Sequence, residues 1–276
     1  MVSTNPTNSQ PVPRRRPPPR VVEVRRVERI TPRMVRITLG GRQLKGFQSK
    51  GPAEHVRIFM PDPETGELLM PVEGPEGLAF PADRPRPMSR AYTPRRWDAD
   101  ACELDVDIAL HEHGPGAAWA SNVTAGDTVV IGGSAGGAYF LDAEAEWYVI
   151  GGDEAALPAI CTLLEALPPT MRAQVYAEVH DADEEQELSC AAPFQVTWLH
   201  RENRSTPGRL LAEAMKVAEL PEGDGRIWVS CEAGVMREIR KHFIEDRGLD
   251  RSVLRTQGYW KQGEVNHPDH DMGDDV

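Results

Sequence analysis

The sequence has no clustered cysteines and no long apolar run, and both absences exclude large classes of protein. Its four cysteines form no CxxC pair and have no histidine neighbours at zinc-like spacing: Cys102, Cys161, Cys190 and Cys231. An iron–sulfur cluster or a zinc site built from them is therefore not expected. No stretch approaches the roughly 20 apolar residues that a membrane-spanning helix needs. We expect reduced, mostly buried thiols in a cytoplasmic protein without membrane insertion.

Basic residues are outnumbered by acidic ones. The chain has 31 Lys and Arg against 43 Asp and Glu, a net charge of −12, and residues 151–276 alone carry −11. This balance disfavours nucleic-acid binding. Residues 1–20 are rich in proline and arginine but lack the apolar segment of a secretory signal, so we predict a disordered arm. Residues 264–276 have five acidic residues and no Lys or Arg, and we predict a solvated acidic tail.

Residues 21–142 show short strand patterns separated by glycine and proline. Such patterns predict a closed antiparallel barrel. A helix is expected over Gly116–Val123, because Gly114-Pro115 precedes it as a helix-start signal. The predicted strands are Val21–Val27, Met34–Leu39, His55–Met60, Arg90–Thr93, Leu104–Leu110 and Thr128–Ile131.

Residues 143–263 alternate strand and helix patterns, which predicts a parallel sheet covered by helices. The predicted strands are Trp147–Gly152, Gln174–Val179, Gln195–Leu199 and Ile227–Ser230. The predicted helices are Leu157–Leu167, Leu210–Leu220 and Gly234–Arg247. The expected fold class is thus a two-domain β-barrel plus α/β protein, and by analogy it suits a ferredoxin-reductase-like flavoprotein.

The tetrapeptide Arg90-Ala91-Tyr92-Thr93 lies on a predicted barrel strand. Arg90 and Tyr92 share one face of that strand because side chains alternate. A guanidinium pairs with a pyrophosphate, and a phenol ring offers a flat surface to a flavin. The plain alternative is an exposed strand with a surface arginine and a packed tyrosine.

Three further segments are placed where ligands bind. The first runs from the strand end at Asp107 into a helix start with small residues, which favours a phosphate at the helix N-terminus; the His111 and His113 pair within it lacks a third metal ligand. The other two are strand-to-helix turns at Gly151–Ile160 and Trp228–Arg237, where an α/β sheet takes a dinucleotide. The first of these turns is not GxGxxG, so it also fits an ordinary turn.

Together these segments resemble the siderophore-interacting protein family, also called ferric-siderophore reductases. The resemblance covers nearly the whole chain past residue 20. It includes HVRIFMP around Arg57, and then, in order across residues 90–263, RAYTPR, HEHGPGAAWA, GGDEAALPAI, WVSCEAGVMREIR and GYWKQG.

The resemblance implies an FAD-dependent NAD(P)H ferric-siderophore reductase that releases iron as Fe(II), and we expect it to be a monomer. FAD contacts are implied for Arg90, Ala91, Tyr92, Thr93, Ala109, Leu110, His111, Gly114, Pro115, Gly116, Ala117 and Ala118. The resemblance places Asp153 and Glu154 at the turn between the flavin and nicotinamide sites and Glu232 and Ala233 beside the nicotinamide, and it implies a further cofactor contact for Ala156. The anionic ferric siderophore is expected to meet Arg57 and Lys261. Catalytic side chains and a bound metal are not expected, because the cofactor carries the chemistry.

The chain departs from the family pattern at three places. The loop Gly132–Gly137 has no charge where relatives often carry a third basic residue, Ala155 replaces a common threonine, and Cys231 replaces a common glycine. NADH is slightly favoured over NADPH because acidic residues follow the second α/β strand, although His200-Arg201, Arg204 and Arg209 would suit a 2′-phosphate. Two other functions stay open: a reductase of the same fold that exchanges electrons with a protein such as ferredoxin, and a non-catalytic siderophore-binding protein.

Overall fold

The computed structural model describes residues 18–74, 77–85, 87–111, 114–202, 205–264, 267–268 and 271–275. For residues 77 and 133–136 it describes the backbone alone. Most of the predicted arm therefore lies outside the described residues, and the first strand begins at Arg20.

The N-terminal half is an antiparallel sheet rolled into a half-barrel. Its seven strands are hydrogen-bonded in the order β6-β3-β9-β1-β2-β8-β7. They are β1 (Arg20–Thr31), β2 (Met34–Gly40), β3 (His55–Phe59), β6 (Ser89–Tyr92), β7 (Pro94–Asp98), β8 (Glu103–Ala109) and β9 (Thr128–Gly136). A small hairpin, β4 (Val72–Gly74) and β5 (Gly77–Ala79), forms a separate pair.

The core of the half-barrel follows from strand alternation. In β3, Val56 and Ile58 are buried, while the residues that alternate with them are only partly covered. Val22, Ile37 and Leu104 fill the same interior from neighbouring strands. The helix α1 (Pro115–Asn122) packs Ala120 against this cluster, so its N-terminus is held at a fixed place beside β6.

The C-terminal half is a parallel sheet of five strands in the order β12-β11-β10-β13-β14. Its elements are β10 (Trp147–Gly152), α2 (Leu157–Ala166), β11 (Arg172–Val179), β12 (Phe194–His200), α3 (Arg209–Val217), β13 (Gly225–Glu232), α4 (Ala233–Lys241) and β14 (Leu254–Trp260). The strand order reverses between β10 and β13, and ligands of such sheets bind beyond the carboxyl ends of strands at this switch point.

Helices cover both faces of the parallel sheet. The apolar side of α2 packs with Tyr148 and Ile150 in the cluster that also contains residues of the half-barrel. On the other face, α3 and α4 pack with Val149 and Ile227. Every residue of β10 is buried, as expected for the central strand of a sheet covered on both sides.

The acidic tail differs from the expectation of a solvated segment. The backbone carbonyl of Asp271 accepts from the Gly258 N–H at 2.8 Å, and the Met272 carbonyl accepts from the Thr256 hydroxyl at 2.7 Å. The Asp271 side chain is only 9% exposed and pairs with Arg237 at 2.8 Å. These residues lie along β14, the outermost strand of its sheet, because its unpaired backbone groups and two nearby arginines offer them partners.

The two halves are joined by hydrogen bonds as well as by shared apolar packing. Thr31 donates to the Glu184 carboxylate at 2.5 Å, and both residues are buried. The Ala53 N–H donates to the Thr162 hydroxyl at 3.0 Å. At the edge of this interface Arg95 forms a two-pronged pair with Glu165.

Candidate functional site

The predicted tetrapeptide forms β6 and contacts the first turn of α1. Arg90 and Tyr92 lie on one face of β6, opposite Ile58 and Val56 of β3. A Cβ placed on Gly116 would lie 2.4 Å from the Tyr92 hydroxyl oxygen and 3.4 Å from the Arg90 side chain. Glycine at this position therefore lets an aromatic ring and a guanidinium meet the start of a helix.

The start of α1 has the features of a phosphate site. Gly114 precedes the helix with φ of 119°, Pro115 occupies the first turn, and no side chain of the described residues caps the end. The N–H groups of the first turn have no acceptor within the helix and carry the positive end of its dipole. Together with Arg90 and the Tyr92 ring, this cradle fits the diphosphate and ring of FAD. Burial raises the pKa of Tyr92, so its hydroxyl stays protonated.

The opposite face of β6 carries a second group of side chains. Arg57 of β3 lies opposite Ala91, and its Nη1 donates to the Ser89 hydroxyl at 3.0 Å. A Cβ on Gly132 of β9 would lie 2.1 Å from the ring of Phe59. The first glycine of the uncharged loop is therefore required by packing against β3, whatever charge the loop carries.

At the switch point of the parallel sheet, Asp153 connects three strand ends. Its carboxylate accepts from the Ala155 N–H at 3.1 Å, from the Glu232 N–H at 3.1 Å and from the Trp260 indole N–H at 2.7 Å. Only 1% of Asp153 is exposed. Asp153 thus joins the ends of β10, β13 and β14.

Glu232 holds the same region from the other side. One carboxylate oxygen accepts from the Val235 N–H at 2.9 Å and caps α4, and the other accepts from the Gln262 N–H at 3.2 Å. Lys261 is therefore placed between two residues that buried carboxylates hold, Trp260 and Gln262. Its Nζ pairs with Glu264 at 2.5 Å, with both side chains about half exposed.

The electrostatics of Asp153 are unusual for a carboxylic acid. Burial, followed by the charge of Glu154, raises the pKa of Asp153 to about 7. Cys231, at the end of β13, is also fully buried, and burial raises the pKa of its thiol well above the ordinary value. Cys231 is consequently a neutral packing residue and not a nucleophile.

A second carboxylate network lies beside the first. Arg201 pairs with Glu154 at 2.6 Å and lies 3.6 Å from Glu178. Glu178 is completely buried and accepts from the backbone N–H groups of Gly208 and Leu211. This caps the start of α3 with a carboxylate and leaves that helix end closed to a phosphate.

The remaining predicted positions occupy the rim and the interior of the site. Thr93, Ala117, Ala156 and Ala233 are buried. Leu110 donates its N–H to the Arg33 carbonyl at 2.7 Å and follows Ala109 at the end of β8. His111 is exposed, and so is Ala118 on α1. His113 and Arg204 lie outside the described residues.

Sequence reasoning missed two groups that build the site. The sequence pattern assigned no role to Trp260, whose indole N–H donates to the Asp153 carboxylate. Glu178 was not singled out, although a glutamate in the apolar run Ala177–Val179 signals a buried carboxylate with a dedicated partner. The arginines were weighed for a 2′-phosphate, but Arg201 is held by Glu154 and Arg209 by Glu213.

No helix among the residues that the structure describes is long and apolar enough to cross a membrane. Within the same part of the chain, no cluster of three or more histidine, cysteine and acidic side chains is arranged to hold a metal ion.

An antiparallel half-barrel followed by a parallel sheet with helices on both faces is the fold of ferredoxin-reductase-like proteins. The fold agrees with a solved ferredoxin NADP+ reductase from Neisseria gonorrhoeae, at a TM-score of 0.60, 14% identity, and coverage of 88% of this chain and 99% of that one. That likeness supports the predicted fold class.

The chain belongs to the siderophore-interacting protein family. Residues 23–138 match the siderophore-interacting FAD-binding domain, and residues 145–263 match the siderophore-interacting protein domain. The siderophore utilization protein of T. fusca, a solved structure, has a TM-score of 0.82 and 39% identity and covers 91% of this chain and 96% of its own. The predicted family is confirmed.

Two curated relatives are named as reductases. Ferric vibriobactin reductase ViuB of Vibrio cholerae is 30% identical over 92% of this chain and 93% of its own length. The NADPH-dependent ferric-chelate reductase of Escherichia coli is 32% identical over 87% of this chain and 92% of its own. With the FAD-binding domain, these relatives support the predicted class of enzyme, an FAD-dependent reductase.

Proposed function

We propose that this protein carries electrons from NAD(P)H through FAD to the iron of a ferric siderophore and so releases Fe(II). The observation that supports this most directly is the meeting of Arg90 and Tyr92 with the start of α1 at Gly116. A diphosphate and a flat ring are the two parts of FAD that such a cradle recognises. The names of the two reductase relatives support the ferric substrate.

The residues of the half-barrel hold and orient the cofactor. FAD, when bound, accepts two electrons from a nicotinamide and passes them on one at a time. Arg90 and the first turn of α1 would balance the charge of the diphosphate, and the Tyr92 ring would offer a flat surface to the ring system of the cofactor. Because burial raises the pKa of Tyr92, its hydroxyl is neutral and would add no negative charge beside the diphosphate.

Cations beside the flavin receive the substrate. We assign this role to Arg57 and Lys261, because a ferric siderophore with hard, anionic oxygen donors is attracted to positive charge. Iron reduced to Fe(II) binds such donors more weakly and leaves. With no charge at Gly132–Gly137, we expect this protein to favour substrates of lower negative charge than relatives with a third basic residue do.

Asp153 and Glu232 act in this scheme as positioning residues. Their carboxylates are occupied by Trp260 and Gln262, so they fix the segment that presents Lys261. Both stand at the switch point, where the nicotinamide is expected to approach the flavin. The donor is proposed as NAD(P)H, without the earlier preference for NADH, because one of the two reductase relatives is NADPH-dependent.

An anaerobic absorption experiment tests this function. Purified protein with FAD should lose its yellow absorbance on addition of NADPH or NADH. The absorbance should return when a ferric siderophore is added, and a ferrous chelator should report one Fe(II) per electron. FAD-loaded protein that neither nicotinamide bleaches would favour a protein electron donor, and a chain that never binds FAD would favour a siderophore-binding protein.

A variant of the cradle separates cofactor binding from folding. Gly116→Val should weaken FAD binding by at least about tenfold, because a valine side chain there would clash with Tyr92 and displace it from the cradle. The circular dichroism spectrum should be retained. Ser121→Ala on the same helix is the matched control and should bind FAD as the parent does. Equal FAD affinity in the Gly116 variant would contradict the proposed cradle.

A further inference from the structure

A basic cavity lies at the edge of the parallel sheet, toward the start of β14 and away from the carboxyl ends of the strands. Its volume is about 460 Å³. Side chains that line it include Arg240, Arg251, Arg255, Ser252, Thr256 and Asp274. Three arginines around one cavity are unexpected, because residues 151–276 carry a net charge of −11.

Arg240, on α4, is buried and incompletely paired. Its side chain is 6% exposed. The Nη1 group donates to the Thr256 hydroxyl at 3.2 Å, and Nη2 donates to Asp274 at the long distance of 3.4 Å. The Nε group has no partner among the described residues. A buried guanidinium normally uses its donors fully, since leaving them unpaired is costly.

The incompletely paired donors of Arg240 lie on one edge of its guanidinium group. Nε and Nη2 form the edge of a guanidinium that binds two oxygens of one anion side by side. On Arg240 that edge is met only by the distant Asp274, whose side chain is 81% exposed. Neither Arg251 nor Arg255 forms a side-chain hydrogen bond or ion pair with any residue that the structure describes.

Charge repulsion within the cavity also indicates that the arginines lack negative partners. Burial, and to a lesser degree the charge of Arg251, lowers the pKa of Arg240, although Asp274 and Asp275 oppose this. Three guanidinium groups thus meet the carboxylates of Asp274, which lines the cavity, and Asp275, which acts on Arg240 from nearby. A further anion would balance the positive charge that remains.

We propose that this cavity binds a phosphate group, either as inorganic phosphate or as part of a phosphate monoester. The phosphate takes the place of Asp274 on the Nε and Nη2 edge of Arg240, and Arg251 and Arg255 contact its other oxygens. A Cβ on Gly273 would lie 3.2 Å from Cδ of Arg240. Glycine at this position therefore lets the segment that carries Asp274 pack closely against the Arg240 side chain.

Binding is measured on the flavin-loaded protein by calorimetric titration and by the thermal unfolding midpoint. Ionic strength is held constant with sodium chloride. Inorganic phosphate should bind saturably and raise the midpoint, because a ligand of the folded state stabilises it. Titration with glycerol 2-phosphate in parallel distinguishes the two sources of the phosphate group: tighter binding of the monoester would identify it as the natural form.

Three variants test the assigned contacts. Arg251→Gln and Arg255→Gln should each weaken phosphate binding by about tenfold, the loss of one charge-assisted contact. Asp274→Asn should strengthen it, because the competing carboxylate is gone. Arg172→Gln, an exposed arginine at the start of β11, is the matched control and should bind phosphate as the parent does.

Two results would overturn the proposal. One is a midpoint shift no larger with phosphate than with chloride at equal ionic strength. The other is unchanged phosphate affinity in the Arg251→Gln/Arg255→Gln double variant. Neither readout depends on flavin reduction or iron release, so the outcome is independent of the proposed reductase activity.

Discussion

At the scale of single residues, Asp153 shows how one buried carboxyl can organise a site without reacting in it. It accepts three hydrogen bonds from three separate chain segments. Those donors favour the ionised form, whereas burial and the charge of Glu154 favour the neutral form and prevail. The side chain therefore titrates near neutral pH while its partners remain in place.

This titration predicts a pH-dependent stability. The pKa of Asp153 is about 7 in the folded protein and about 3.9 in an unfolded chain. Because the folded pKa is the higher one, the stabilising contribution is complete below about pH 4 and is lost as the pH rises through about 7. Asp153→Asn, which has no such proton, should flatten the decline in unfolding free energy across this window, measured by urea titration.

The exposed Glu187 provides the control for that measurement. Glu187→Gln should keep the slope of the parent between pH 4 and 7. Equal slopes for the parent and Asp153→Asn would show that Asp153 is ionised throughout this range. The assigned effect of burial would then be wrong.

Lys261 gives a second prediction at this scale, and it rests on the proposed function. Glu264 forms an ion pair with the Lys261 ammonium group, and an anionic substrate must displace Glu264 to bind there. Glu264→Gln should lower KM for an anionic ferric siderophore about two- to threefold at low salt, with kcat unchanged. The effect should fade at high salt because exposed charges are screened.

Glu67, which pairs with Arg84 on the surface, serves as the matched control for Lys261. Glu67→Gln removes the same charge from the molecule and should leave KM unchanged. A fall in kcat for Glu264→Gln, or an equal change in both variants, would argue against a role for Lys261 in receiving substrate.

At the scale of secondary structure, the sequence predicted best where the apolar pattern was continuous. The strand Trp147–Gly152 is found with the predicted bounds, because it is buried on both faces and its pattern has no exposed positions. The strand β7 (Pro94–Asp98) was missed, since only alternate residues are covered and a proline begins it. The strand at Thr128 extends to Gly136 through glycines, which carry no strand signal.

Side-chain contacts were less predictable than elements. Arg90, Tyr92 and Gly116 were identified because a strand face and a helix start have local patterns. The bond from Trp260 to Asp153 joins residues 107 positions apart, and no local pattern encodes it. The prediction of a solvated acidic tail was wrong for the same reason. The partners of the tail, Arg237 and Arg240, lie on α4, and in sequence they look like residues of an ordinary exposed helix face.

The tail predicts a measurable difference between two of its aspartates. Asp271 is 9% exposed and makes two bonds to Arg237, while Asp275 is 65% exposed and pairs with the same arginine at its rim. Asp271→Asn should reduce the unfolding free energy by on the order of 2 kcal/mol, because it weakens a buried charge-assisted pair. Asp275→Asn should change it by less than about 0.5 kcal/mol.

Urea unfolding with light scattering checks both substitutions in the tail. Loss of Asp271 should also promote association of the protein, since the Asp271 segment covers the outer edge of β14 and exposed edges pair with other chains. Similar stability for the two variants would mean that the pair of Asp271 with Arg237 contributes no more than the exposed pair of Asp275.

At the scale of the whole molecule, the interface between the halves decides whether flavin and nicotinamide meet in a fixed geometry. Apolar residues of both halves share one cluster. Within it, the Thr31 hydroxyl satisfies the buried Glu184 carboxylate, and the Thr162 hydroxyl accepts from the Ala53 N–H. Both polar contacts bridge the halves, so their loss leaves groups unpaired only at the interface.

This arrangement predicts that two isosteric substitutions uncouple the halves. Thr31→Val with Thr162→Val retains the side-chain volume but leaves the Glu184 carboxylate and the Ala53 N–H without these partners, at a cost of about 1–3 kcal/mol each. Calorimetry should then resolve two unfolding transitions where the parent shows one. Thr38→Val is the matched control, because Thr38 donates to Asp105 inside the half-barrel. It should lower stability without splitting the transition, and a single transition in the double variant would show that apolar packing alone couples the two halves.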